Sequence, residues 1–161
     1  MRRVYVAVVG PGEADEETLA RAEEVGGEIA RRDAVLVCGG LGGAMEAACR
    51  GARSAGGLTV GILPGLDRAV ANEHVEIALP TGMGELRNGL IVRAADAVVA
   101  VAGEFGTLSE VAFALKTGVP VVGLSTWELV RQGRPVRAIA EASSAGDAVE
   151  RALELAARRR A

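Results

Sequence analysis

The residues best suited to chemistry in this sequence stand in three glycine loops and on one short helical stretch. GPG at 10–12, GGLGG at 39–43 and GEFGT at 103–107 each follow a short apolar run and each precede a helical pattern. Glycine admits positive φ and lets the backbone approach a ligand without a Cβ in the way, while free N–H groups at a helix start point toward an anion. Loops that follow strands open on one edge of a sheet. Gly10, Gly12, Gly39, Gly40, Gly42, Gly43, Gly103 and Gly106 are therefore candidate phosphate contacts, with Met45, Glu104 and Phe105 beside them. Tight strand-to-helix turns use glycine for local reasons too, but three such loops in one chain favour an anion site.

Thr107-Leu108-Ser109-Glu110 admits two readings. In one, Thr107 caps the helix that follows and Glu110 reaches back to the Thr107 amide, as in a capping box. In the other, Glu110 points into a cleft, where it would act as acid or base or grip sugar hydroxyls. Arg87 lies at helical spacing with Leu90, Ile91 and Ala94, on the border of an apolar stripe. A snorkelling surface arginine would look the same, yet a guanidinium near a helix start is suited to bidentate phosphate binding, with Asn88 as a neutral amide beside it.

Rival chemistries find less support. Neither GGLGGAM nor GPGEAD completes a dinucleotide fingerprint, because Met45 and Asp15 stand where the third glycine is needed. His74 is the single histidine and reads as a strand-end residue, which argues against a His-based metal cluster or a Ser-His-Asp set. Cys38 and Cys49 form no CxxC pair and read as small core hydrophobes. Phe105 falls on a candidate ligand loop, whereas Trp127 reads as packing.

The elements that must position these residues alternate. Short β-branched runs at 4–9, 34–38, 58–63, 74–79, 96–102 and 119–124 predict strands. Helical spacing predicts helices over 16–31, 45–55, 84–95 (inward stripe Leu86, Leu90, Ile91, Ala94), 108–117 and 148–159, with 136–140 as a short edge strand. Such alternation implies right-handed crossovers and an α/β fold: a doubly wound, mainly parallel sheet with helices on both faces, Rossmann-like, over one domain spanning 1–161. In such sheets ligands sit at the carboxyl ends of the strands, where strand order reverses.

Composition narrows the class further. Half of the residues are hydrophobic but only 2% are aromatic, so the core must be built from Val, Ala, Leu and Ile. The 22 glycines exceed the average share and mark loops and close backbone approaches. A net charge of −3 leaves no basic footprint for nucleic acid. The apolar run after Met1-Arg2-Arg3 is too short for a signal peptide or membrane span, and a glycine-rich chain without a cysteine framework points to the cytoplasm.

CGGLGGAMEAACRGARSAGG, TVGILPG and MGELRNGLIVRAADAVVAVAGEFGTLSEVAFALKTGVPVV together resemble the Lonely Guy-like group once labelled lysine decarboxylases. The nearest branch by resemblance is that of the molybdenum cofactor carrier proteins and their bacterial relatives, over most of the chain from Val4 to about Leu124. In the Lonely Guy enzymes the second motif reads PGGxGTxxE after a helix bearing Arg-Lys, and the activity is hydrolysis of the N-glycosidic bond of a nucleoside 5'-monophosphate. Here Ala102, Gly103 and Glu104 replace PGG, Gly106, Thr107 and Glu110 match, and Arg87-Asn88 replaces Arg-Lys. The resemblance thus implies Arg87 and Glu110 as site residues, catalytic if the protein is an enzyme, and Gly106 and Thr107 as phosphate donors. The departures favour the carrier branch, whose members bind the pterin phosphate of the molybdenum cofactor.

The leading expectation is binding of a phosphorylated nucleotide-like or pterin-like small molecule across loops 39–43 and 103–107. A phosphoribohydrolase is the enzymatic alternative, and a metabolite-sensing or assembly module the third. No resident cofactor is required; a nucleotide or the molybdenum cofactor would be the bound ligand. No metal, nucleic-acid or membrane partner is expected. A lysine decarboxylase is disfavoured, since Lys116, the only lysine, falls on a helix face and nothing marks a pyridoxal phosphate site. The resemblance also implies a homo-oligomer, a dimer or tetramer.

Overall fold

The computed structural model describes residues 2–160. Its elements run β1 (Tyr5–Val9), α1 (Glu16–Arg31), β2 (Val35–Cys38), α2 (Ala44–Ser54), β3 (Thr59–Leu63), β4 (Ile77–Pro80), α3 (Asn88–Ala94), β5 (Ala97–Val101), α4 (Phe105–Thr117), β6 (Val121–Leu124), β7 (Leu129–Arg131), β8 (Arg134–Val136), β9 (Ala140–Glu141) and α5 (Ala145–Arg160). Single 3-10 turns cover Arg68–Val70 and Gly84–Arg87.

Seven strands form one sheet in the order β4-β3-β2-β1-β5-β6-β9, and every pairing in it is parallel. The chain leaves β1 toward β2, β3 and β4, then returns to lay β5 against the other side of β1. Strand order therefore reverses between β1 and β5, and the loops that follow these two strands diverge around a crevice.

Alternation along β1 divides the core. Val6 and Val8 pack with Ala22, Val25 and Ile29 of α1, Ala48 of α2 and Ala152 of α5. Ala7 and Val9 face the opposite layer, with Ile91 and Val92 of α3 and Val111 and Ala114 of α4. The prevalence of alanine lets helices come close. A Cβ on Gly26 would lie 1.9 Å from the Ala48 carbonyl oxygen, and one on Gly51 would lie 1.9 Å from that of Glu23, so α1 and α2 touch backbone to backbone. These glycines belong to packing, not to loops. Cys38 and Cys49 are buried free thiols, as their reading as core residues requires.

Several expectations are corrected. Only Ile91 of the anticipated inward stripe is buried; Leu86, Leu90 and Ala94 face solvent, and Arg87, Val92 and Ala95 turn inward instead. The 3-10 turn at Gly84–Arg87 has three residues per turn, which shifts the phase of everything after it by about one residue. His74 is not a strand end: the strand begins at Ile77, and His74 lies in a turn whose amide donates to Asn72 Oδ1 at 3.0 Å. The edge strand anticipated at 136–140 is Ala140–Glu141, while Val136 belongs to the separate β7-β8 hairpin. α4 begins at Phe105, three residues before the expected start.

Candidate functional site

The loops after β1, β2 and β5 meet at the crevice. Gly43 holds φ 65°, and a Cβ there would lie 2.3 Å from the Gly12 carbonyl oxygen, so only glycine lets the second loop lie against the first. The Ala44 amide fastens the two by donating to Pro11 O at 3.0 Å. After β5 the chain turns through Ala102 at φ 50° and Gly103 at φ 139°, and α4 starts at once. α1 is capped in the ordinary way, with Asp15 Oδ1 accepting from the Thr18 amide at 2.8 Å. By contrast, no side chain caps α2 or α4. In α2 the Ala44 amide is taken by Pro11 O, so the amides left without a cap are the next ones of that first turn and those that open α4, with the positive ends of both dipoles at the crevice.

The early start of α4 overturns the capping-box reading. Thr107 is the third residue of the helix, not its cap, and Glu110 follows three residues later on the same face. Both side chains turn inward. Thr107 is 2% exposed, and its Oγ1 has no hydrogen-bond partner in the structure. A buried hydroxyl left without a partner costs about 1–3 kcal/mol, and this one belongs to a residue that lines the crevice. Ser109, not Glu110, bonds back to the helix start, donating Oγ–H to Gly106 O at 2.6 Å.

Arg87 closes the 3-10 turn and is 8% exposed, not a snorkelling surface residue. Its Nε donates to Ile62 O at 2.9 Å and Nη2 to Gly39 O at 3.5 Å, which anchors the guanidinium between the ends of β3 and β2. Nη1 donates to Asn88 Oδ1, and Asn88 Nδ2 donates to Ser109 Oγ at 3.3 Å, linking α3 to α4. A Cβ on Gly39 would lie 2.7 Å from Arg87 Nη2, so the glycine there makes room for the arginine.

Burial decides the charges. Glu110, also 8% exposed, has its carboxyl pushed up to about 8 by desolvation, with the Arg87 charge only partly opposing. Burial also lowers Arg87 from the ordinary arginine value, against Glu110, the strongest influence in the other direction; a guanidinium nevertheless stays protonated. At neutral pH the buried part of the crevice therefore holds a cation and a neutral acid, while the exposed Glu85 and Glu104 stand at its edge. The buried combination accepts an anion, and it supplies an O–H donor as well.

The crevice has a volume of about 380 Å³ and is lined by Gly10, Gly12, Met45, Arg87, Asn88, Glu104, Gly106, Thr107 and Glu110 from the anticipated set. It falls within the range of small-molecule sites. Gly12 and Gly106 would meet nothing within 4 Å if given a Cβ, so their bareness serves no local packing and leaves the floor of the crevice open. Gly39, Gly40, Gly42, Gly43 and Gly103 stand behind or beside this lining, and Phe105 projects outside it, 77% exposed. Pro11, Leu41, Pro64 and Glu85 also line the crevice and were not anticipated. Pro11 and Leu41 sit inside the two glycine loops, and Pro64 heads the Pro-Gly pair that ends β3, so strand-end position was the signal available for them.

A larger space, of about 730 Å³, lies between the end of β6, the β7-β8 hairpin and β9. It has no uncapped helix start and no buried ionisable group among its lining residues, so size alone does not make it the chemical centre.

The fold and this crevice define a doubly wound α/β protein with a cleft at its topological switch point that holds a buried arginine and a buried carboxyl. The chain belongs to the SLOG cluster4 family, whose family model matches residues 3–153. An uncharacterised protein of Archaeoglobus fulgidus is 47% identical over 124 residues, 77% of this chain and 82% of that protein. Among solved structures, the molybdenum cofactor binding protein of Rippkaea orientalis superposes with a TM-score of 0.87 at 38% identity, covering 96% of this chain and 98% of the other. The molybdenum cofactor carrier protein of Chlamydomonas reinhardtii gives 0.84 at 32% identity, covering 97% and 99%. The resemblance to the Lonely Guy-like group near the carrier branch is thereby borne out, as is the Rossmann-like architecture. No helix among the described residues is long and apolar enough to cross a membrane.

Proposed function

We propose that this protein holds a phosphorylated pterin-like or nucleotide-like molecule, with the molybdenum cofactor the foremost candidate, as a carrier and not as a catalyst. The observation that carries the reading is the buried Thr107 hydroxyl without a partner among the described residues, in the first turn of the uncapped α4 and in the lining of a crevice that also holds Arg87. In this reading the free first-turn amides of α2 after Ala44, those that open α4, and the Thr107 hydroxyl bond the phosphate oxygens. Arg87 neutralises the charge from below, held in place by the Ile62 and Gly39 carbonyls. Glu110, protonated at neutral pH, donates to a phosphate or hydroxyl oxygen instead of repelling it. The names of the two structural relatives, a molybdenum cofactor binding protein and a molybdenum cofactor carrier protein, support cofactor binding, and the second supports a carrier role.

One observation favours a second reading. A carboxyl at about 8, beside a buried arginine, is also poised for proton transfer. In a phosphoribohydrolase it would assist the attack of water at the anomeric carbon while Arg87 held the substrate. The test is incubation with AMP while free adenine is followed, alongside calorimetric titration. Saturable binding of phosphate esters without adenine release supports the carrier. Sustained release abolished by Glu110→Gln establishes the enzyme. A protein that binds neither nucleotides nor pterin phosphates is a sensing or assembly module.

A further inference from the structure

The chain has four aromatic residues, Tyr5, Phe105, Phe113 and Trp127. In so aromatic-poor a protein, a large ring left in water calls for a reason. Phe105 is 77% exposed although it is the first residue of α4, adjacent to the crevice residues Glu104 and Gly106. Its ring lies 5.7 Å from that of Trp127, inclined at 35°. Trp127 is itself held, since its indole N–H donates to Glu104 O at 3.3 Å. It follows Thr126, whose hydroxyl donates to Ala102 O. The pair therefore rests on the same β5-α4 turn that forms one wall of the crevice. On its far side, Trp127 lines the larger space under the hairpin.

We infer that Phe105 and Trp127 form the ring-binding half of the ligand site: a planar heterocycle whose phosphate occupies the crevice stacks on this pair at the rim. The inference rests on the phosphate reading above and goes beyond it by assigning where selectivity for an aromatic group arises. An aromatic face stacks on any heteroaromatic ring over its whole plane and gains less from a ribose, which presents only a few C–H bonds to it. The fixed indole limits the ordering cost of binding, because one wall of the stack is already in place. The spacing is suitable, since a phosphate at the amides of Gly106 and Thr107 lies within two residues of Phe105 along the chain.

The experiment compares ribose 5-phosphate, which has the phosphate ester without a ring, with guanosine 5'-monophosphate and neopterin monophosphate. Affinities are measured by calorimetry in the wild type, Phe105→Ala, Phe105→Tyr and Arg87→Gln. Trp127, the only tryptophan, reports by fluorescence. At least one ring-bearing ligand is expected to bind about tenfold more tightly than ribose 5-phosphate, within the range that stacking supplies. It should quench Trp127, while ribose 5-phosphate should not. Phe105→Ala should remove that advantage without changing ribose 5-phosphate binding, and Phe105→Tyr should keep it. An advantage that survives Phe105→Ala, or one absent from the wild type, overturns the ring site and leaves the phosphate reading standing. If no phosphate ester binds, or if Arg87→Gln leaves all three affinities unchanged, the phosphate reading fails and the ring site with it. If Phe105→Ala instead lowers the oligomeric mass while the ring advantage persists, the ring belongs to a contact between copies and the inference is overturned.

Discussion

Glu110→Gln offers the sharpest test of the electrostatics. The carboxyl is pushed from 4.5 to about 8 by burial, so between those values the folded protein retains a proton that the unfolded chain has lost. Under proton linkage, stability is then greatest below pH 4.5 and falls as pH rises, by about 1.4 kcal/mol per pH unit, until the folded group itself ionises near pH 8. Across that window the loss accumulates to roughly 5 kcal/mol, a large part of the 5–15 kcal/mol typical of a folded domain. The residual exposure of 8% and any water entering the crevice reduce the figure, but not its sign. Gln has the same shape and cannot ionise. Urea unfolding of both proteins at pH 5, 6, 7 and 8, with the slope m held common, should show the variant gaining on the wild type at each step. Other titrating groups cancel in the difference. Parallel stability curves would refute the argument, since they mean that Glu110 titrates in the folded state near its ordinary value, and so would a wild type that gains on the variant as pH rises, since that means a carboxyl held below it.

Thr107→Val keeps the shape and removes the unpartnered hydroxyl; thermal unfolding should show an unliganded variant about 1 kcal/mol more stable, with phosphate-ester affinity several-fold lower by calorimetry. Gly106→Ala meets no protein atom within 4 Å, so its melting temperature should hold while ligand binding weakens, which separates a bare floor from a packing requirement. Gly43→Ala should cost 2 kcal/mol or more by urea unfolding, at the roughly 1–3 kcal/mol typical of backbone strain plus a clash with the Gly12 carbonyl. Asp15→Ala should lower the melting temperature and leave ligand affinity unchanged, because α1 carries its own cap and takes no part in the crevice.

Much of the fold was legible because burial imposes periodicity. The valine-rich runs at 5–9, 35–38 and 97–101 carry no charged residue, as strands covered on both faces must. The polar-apolar spacing of 16–31 marked α1 to the residue. The glycine loops were visible as loops, and their common sheet edge followed from strand-to-helix order. The failures also share a cause, for local pattern does not reveal phase. Leu86 and Leu90 read as core and Arg87 as border until the 3-10 turn rotated the frame and buried the arginine instead.

The sequence by itself determined the alternation of strands and helices, the positions of the turns, and the residue types able to meet a phosphate, because each depends on interactions spanning a few residues. Only the tertiary structure decided which of those residues face one another. Thr107-x-x-Glu110 satisfies the local rule for a capping box, and nothing within those four residues forbids it. Parallel packing of β5 against β1 lets α4 begin at Phe105, which carries both side chains inward toward Arg87, a residue from a different crossover. Desolvation by surrounding elements then sets the charge of Glu110, and that environment is a property of the assembled fold and not of any segment of the chain.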